Sequence, residues 1–172
     1  MKILGLCNAN DSGATLIIDN KVVASVNEER FTRQKLTRKF PKNSIEYVLS
    51  AGQITLDEVD FFGCGAWNGI DHSKTLPKLV DDILELSQGI EATGRKIISE
   101  RIRATIKSDN IAKQQLSADL LAYGIPKEKV IYCDHHLSHA LSAYYPSPFE
   151  NAVVLTADGR GDFRSLTIWE AN

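Results

Sequence analysis

The sequence predicts an α/β protein, a mixed sheet with helices on both of its faces, and three observations predict it. The first quarter holds three short runs rich in β-branched residues, separated by turn formers. Farther on, Leu76, Leu79, Val80, Ile83 and Leu84 recur at the spacing of a core-facing helical stripe. Single strand-like runs then return between helical stretches, an alternation that calls for crossover connections of the right-handed kind.

The opening runs are Lys2-Ile3-Leu4-Gly5-Leu6-Cys7, Ala14-Thr15-Leu16-Ile17-Ile18 and Val22-Val23-Ala24-Ser25-Val26. Their connections, Asn8 to Gly13 and Asp19-Asn20-Lys21, are rich in turn formers, so the three strands should form an antiparallel meander. Pro41 suits a first helical turn and Gly52 a helix end, which predicts a helix through Ser44, Ile45, Tyr47, Val48 and Leu49. Val59 to Gly65 reads as a fourth strand, and the clearest helix follows over residues 75 to 86. Weaker helical periodicity runs through Ile98, Ile102 and Ile106 and again through Leu116, Leu120 and Leu121, until Gly124-Ile125-Pro126 stops it. Val130 to Cys133 is a fifth strand and residues 135 to 145 a helix. Val153 to Ala157 and Ser165 to Trp169 are a final strand pair joined by the turn Asp158-Gly159-Arg160-Gly161-Asp162. This hairpin repeats the kind of motif that opens the chain. Residues 1–150 are therefore expected to form one lobe, and 151–172 the opening hairpin of a truncated second.

A chain of 172 residues can bury one sizeable core. An apolar share of 43% with 24% charged residues excludes collagen-like, disordered and coiled-coil classes. No apolar run reaches the roughly 18 to 20 residues that span a bilayer, and the first residues lack signal-peptide architecture, so the expected compartment is the cytoplasm. Cys7, Cys64 and Cys133 are odd in number and set in apolar runs, which suits reduced, buried thiols. A net charge of −2 gives no global attraction to nucleic acid or anionic membrane, so any polyanion site has to be local.

Three constellations could carry chemistry. In Asp134-His135-His136-Leu137-Ser138-His139-Ala140, three of the chain's 4 histidines open a helix directly after a strand. His135 and His139 are four apart, so their rings can converge on one ion, while Asp134 can cap the first turn. A helix N-terminus disfavours imidazolium and leaves ring nitrogens free for a metal. On a wheel, Leu137, Ala140, Leu141 and Tyr144 gather on one side and the three histidines on the other. A solvated polar face meets the same spacing. It is not a zinc-protease helix, since His136 stands where that motif has its glutamate. The second constellation is Asp158 to Asp162, where glycines at a strand exit would let backbone N–H groups approach a phosphate. The like turn Asn10-Asp11-Ser12-Gly13 would complete a clamp if it faced the first, and each alone is ordinary turn chemistry. The third is the basic run Arg30, Arg33, Lys35, Arg38, Lys39 and Lys42 behind Glu28 and Glu29, with Phe31 and Phe40 interleaved to pack it down. A small-molecule phosphate suits it better than nucleic acid.

These stretches, in this order, resemble the carbamoyltransferase family that modifies nodulation factors and antibiotics. The matches are Leu4-Gly5-Leu6 with Asn10 to Ala14, Glu28 to Lys35 with Phe40-Pro41, Asp134 to Ala140, and Asp158 to Gly161. The resemblance implies the actin-like, sugar-kinase-like ATPase fold of the ribonuclease H-like class, near the threonylcarbamoyl-adenosine synthesis proteins that bind metal through a His-x-x-x-His helix. It implies a divalent metal, Fe or Zn, on His135, His139 and Asp158. It also implies ATP and carbamoyl phosphate joined as carbamoyl-adenylate by a separate carboxy-terminal domain, with transfer to a small-molecule hydroxyl. Asp11 and Lys35 then become the candidate catalytic residues, and Asn10, Ser12, Gly13, Arg33, Gly159 and Gly161 the candidate nucleotide-binding residues. Three positions depart from the family pattern: Asn10 where a His commonly stands, Leu36 where a His commonly follows the Lys, and Asp162 where Glu is usual. Asn10 cannot titrate, and a divergent acceptor is the expected consequence. Two rivals share these features, a threonylcarbamoyl transferase acting on RNA and a noncatalytic nucleotide-binding module. By itself the chain is expected to be catalytically silent and to self-associate, as a homodimer, through the hairpin edge.

Overall fold

The period-two alternation of the first 27 residues builds the sheet that carries everything else. In the computed structural model, which describes residues 1–65, 81–83, 85–161 and 164–172 and omits the side chains of 105, 109 and 160, β1 (Lys2–Cys7), β2 (Gly13–Ile18) and β3 (Lys21–Asn27) form an antiparallel meander. A register shift between Leu16 and Ile17 marks an irregularity in the β2–β3 pairing. The edge strand's partner face receives α2 (Lys42–Gly52), which follows the one-turn helix α1 (Glu29–Thr32). Ser44, Ile45 and Val48 are the buried positions of α2, one stripe at helical spacing. Gly52 ends it, and a Cβ there would overlap the Leu16 side chain, so the glycine lets the helix end sit down on β2.

On the other side of β1 the sheet turns parallel. β4 (Phe61–Cys64) pairs with β1, and β5 (Val130–Tyr132) pairs with β4, giving the order β3-β2-β1-β4-β5. A mixed sheet with crossovers is thus what forms. Leu4, Leu6, Leu16, Ile45, Val48, Val59, Phe62 and Cys64 are buried together in this unit. Burial pushes the Cys64 thiol up to about 12, with Cys133 and Cys7 nearby adding to the shift. The three cysteines are free thiols at the same end of neighbouring strands.

Two compact units divide the chain: Met1–Gly69 with Leu120–Asn172, and Ile70–Asp119. The second contains most of α3 (Ala92–Ala122), one helix where the periodicity suggested two segments. The stripe of Leu76, Leu79, Val80 and Leu84 lies outside the described residues, although residues 81–83 and 85–86 are helical. In the first unit, β5 leads into α4 (His135–Tyr144), which packs on a separate antiparallel ribbon, β6 (Ala152–Gly161) with β7 (Arg164–Ala171). Among the described residues no helix is long and apolar enough to cross a membrane.

Candidate metal centre

Asp134 makes α4 begin where it does. Its Oδ1 accepts the Leu137 N–H at 2.9 Å, satisfying one of the unpaired donors of the first turn, while its Oδ2 accepts from the Arg164 guanidinium at 3.0 Å. The helix is thereby capped and tied to β7 by one carboxylate. His135 and His139, one turn apart, then point the same way as the ribbon's Asp158.

Three atoms able to ligate a metal meet there. His135 Nε2 lies 2.6 Å from Asp158 Oδ2, His139 Nε2 lies 3.5 Å from the same oxygen, and the two ring nitrogens are 3.1 Å apart. Among the described residues this is the one group of three such side chains whose ligand atoms converge, all within 4.8 Å of one another. Ligand bonds of roughly 2.0 to 2.2 Å set neighbouring ligands about 2.8 to 3.6 Å apart in octahedral or tetrahedral geometry; the 3.1 and 3.5 Å edges of the triangle fall in that range and the 2.6 Å edge lies just under it. Two neutral imidazoles and one carboxylate are a donor set that both zinc and ferrous iron accept, so the residues fit a divalent ion. The hydrogen bond from His135, joined by the Gly159 N–H on Oδ1, 2.6 Å away, holds the Asp158 carboxyl below the usual carboxylate range against the opposing effect of burial. The side chains are partly exposed, so the triangle is open to solvent on one side.

The middle histidine departs from the wheel, which put all three histidines opposite the apolar side. His136 is fully buried and shares the inward stripe with Ala140, four residues on. Its Nδ1 meets Thr156 Oγ1 at 2.8 Å and its Nε2 donates to the Arg164 carbonyl at 3.0 Å. A step of one residue turns a helix by about a hundred degrees, enough to put neighbouring histidines on different faces. The signal was present in the i, i+4 pairing with Ala140, but a polar side chain on an inward face reads as outward unless its partners are known.

Two of the glycines expected to approach a phosphate also lie against other parts of the chain. A Cβ at Gly161 would overlap the His135 ring, so the missing side chain is what admits the imidazole to Asp158. Gly13 touches β3: a Cβ there would come within 2.7 Å of the Val26 carbonyl oxygen. Gly159 faces open space. In the turn after β1, Asp11 takes a left-handed conformation with φ 60°, Asn10 Oδ1 accepts from Arg38 Nε at 2.5 Å, and the buried Ser12 hydroxyl has no hydrogen-bond partner among the described residues. Arg33 and Lys35 are exposed, and among the described residues no hydrogen bond or ion pair joins them to the histidine triangle. Asp162, like the side chain of Arg160, lies outside the described residues. Glu28 is buried in a cage of donors: Ser44 N–H and Oγ at 2.8 Å each, Asn43 Nδ2 at 2.5 Å and Asn43 N–H at 3.3 Å. It closes the N-terminus of α2. The aromatic residues of the basic run pack as pairs, Phe31 with Tyr47 and Phe40 with Tyr123.

The chain has relatives among known proteins. Its residues 2–172 match the family described as Carbamoyltransferase N-terminus. It is 34% identical over 164 residues to the uncharacterized protein sll1178 of Synechocystis, covering 93% of this chain and 25% of that one. It is 30% identical over 156 residues to the nodulation protein NolNO of Sinorhizobium fredii, covering 91% and 20%. A third relative is the uncharacterized protein MJ1051 of Methanocaldococcus jannaschii, 26% identical over 170 residues, with 99% of this chain and 24% of the relative covered. The chain therefore spans about a quarter or less of these relatives' lengths, and it belongs to the carbamoyltransferase N-terminus family.

Proposed function

We propose that this chain supplies the metal-bearing lobe of an O-carbamoyltransferase that passes a carbamoyl group from carbamoyl-adenylate to a hydroxyl of a small molecule. The observation that carries the reading is the convergence of His135, His139 and Asp158 in a chain of this family. These three side chains would hold Fe or Zn, which when bound supplies Lewis acidity toward a carbamoyl or phosphoryl oxygen. Asp134 and Gly161 fix the ring of His135, the first by starting the helix and the second by leaving room for it. Exposed Lys35 and Arg33 would neutralise phosphate, and Asp11, in its left-handed turn, is the candidate acceptor of the hydroxyl proton. Asn10, Ser12, Gly13, Gly159 and Gly161 are read as the backbone and hydroxyl contacts of the adenylate.

The same reading assigns the chain to the actin-like, sugar-kinase-like fold, with 1–150 as its first lobe and 151–172 as the hairpin that opens the second. In support, the ribbon forms a sheet of its own. The short coverage of the relatives is consistent with a separate adenylate-forming domain in longer members.

The test is metal binding by the purified chain, read by equilibrium dialysis with Zn(II) and Fe(II). One equivalent is expected, with affinity lost in His135→Ala and Asp158→Asn and reduced in Gly161→Ala, whose new methyl displaces the His135 ring. Stoichiometric binding that survives His135→Ala combined with Asp158→Asn would sink the site. The chain alone is expected to give no carbamoyl transfer from carbamoyl-adenylate; turnover equal to that of a full-length relative would place the active site elsewhere.

A further inference from the structure

Beside the three converging side chains runs a second polar system, buried at His136 and Thr156 and part-buried at Thr167 and Trp169. Trp169 Nε1 donates to Thr167 Oγ1 at 2.6 Å, Thr167 Oγ1 lies 2.6 Å from Thr156 Oγ1, and Thr156 Oγ1 lies 2.8 Å from His136 Nδ1. The far end of the chain is the 3.0 Å contact of His136 Nε2 with the Arg164 carbonyl.

Both ends have fixed polarity. An indole N–H only donates and a carbonyl oxygen only accepts, so the Thr167 oxygen receives a proton and His136 Nε2 carries one. With Nε2 protonated, the neutral ring presents Nδ1 as an acceptor to the Thr156 hydroxyl. Thr156 has then used its proton, and Thr167 donates to it. Every hydroxyl makes one bond in each direction. The reverse order would leave the Thr167 proton with no acceptor in the chain.

We infer that His136 is the positioning residue of the candidate metal centre, held as the Nε2–H tautomer by this directional chain so that α4 can take only one rotation on β6. The inference rests on the metal reading above. Its geometric basis is the pairing of two neighbouring helix residues with two residues of β6 on either side of the irregularity after Ala157: His136 with Thr156, and His135 with Asp158. A single contact leaves a helix free to roll about it, whereas two fix roll and register together. The Arg164 carbonyl adds a third point on β7. Buried polar chains that are fully paired specify one arrangement, because each displaced member loses its partner in a low-dielectric setting. Here the arrangement specified is the one that delivers His135 and His139 to Asp158. Outer partners that orient ligands in this way are commonly worth a factor of ten or more in metal affinity.

Two measurements on the full chain test this. Long-range imidazole 1H–15N correlation on the metal-free protein reads the His136 tautomer directly. A single Nε2–H tautomer is expected, replaced by tautomer mixing in Thr156→Val, where valine keeps the shape and the β-propensity but not the hydroxyl. A wild-type His136 protonated on Nδ1 alone, or already mixed, overturns the proposal. Co(II) titration, read by its visible d–d bands, is the second measurement. Thr156→Val and Thr167→Val should weaken Co(II) by roughly 10- to 100-fold and alter the bands, and Thr156→Ser should restore both. Thermal unfolding of each metal-free variant separates a lost fold from a lost position. Wild-type affinity and bands in Thr156→Val overturn the positioning role while leaving the metal reading standing. A wild-type chain that shows the tautomer but takes up no Co(II) overturns the metal reading and the positioning role with it.

Discussion

Glu28 is a carboxylate with almost no exposed surface, and its protonation is decided by what faces it. Burial pushes its carboxyl up, but the hydrogen bonds from Ser44 and Asn43 together outweigh burial and leave it below the ordinary glutamate range. In the unfolded chain, Glu28 takes up a proton near its ordinary value of about 4.3; in the folded chain it does so only at lower pH. Its contribution to stability is therefore complete above the ordinary carboxylate range and is lost as the pH falls through the lower folded value. Glu28→Gln turns an amide N–H toward two donors and should cost about 1 to 3 kcal/mol at neutral pH. The cost should shrink below about pH 4, where the unfolded wild-type carboxyl is itself largely protonated. Urea unfolding of both proteins across this range checks it, and a gap that stays constant with pH would contradict the account.

The helix α4 shows how much of an element a sequence reveals. Its limits were legible because Asp134 is a strong N-cap residue after an apolar strand, and the spacing of His135 and His139 was enough to place their rings together. Asp134→Ala should lower stability by about 0.5 to 2 kcal/mol, toward the upper end because Arg164 also loses its partner; differential scanning calorimetry against Arg164→Met measures the two arms separately. The meander was equally legible, since period-two runs and turn formers coincide. Other elements were hidden for physical reasons. α1 is one turn long, too short to display a period, and it ends on Arg33 in the left-handed conformation, φ 58°. The charged stretch inside α3 carries few apolar residues, yet no proline interrupts it, so the helix continues where the stripe fades. β6 runs on through Asp158 to Gly161, past an irregularity after Ala157, where the Asp-Gly pair had suggested a tight turn. The pairing of His135 with His139 could be read from spacing and Asp158 was added by the family resemblance, whereas the work of Gly161 against the His135 ring was legible in neither, because it depends on how close two elements approach.

At the scale of the whole molecule, the β6–β7 ribbon has one partnered face and one bare face. Thr156, Thr167 and Trp169 face inward, linked side chain to side chain and through Thr156 to His136 on α4. Alternation sends Val153, Leu155, Leu166 and Ile168 the other way, and they are 75%, 61%, 56% and 68% exposed. Leu155 and Ile168 stand directly opposite each other in the register, so the bare face is continuous across both strands. A two-stranded ribbon is marginal in water unless something covers its apolar side, and contiguous exposed apolar patches drive association. The purified chain is therefore expected to self-associate through this face as its concentration rises. Replacing the opposed pair by Leu155→Glu with Ile168→Lys puts a cross-strand ion pair where the apolar pair stood, keeps the register and leaves the inward residues untouched. Sedimentation velocity should show this variant as a monomer while Co(II) binding stays at the wild-type level. A wild-type chain that remains monomeric at every concentration reached would show that the bare face does not drive association, and loss of Co(II) binding in the variant would show that the two faces of the ribbon are not independent.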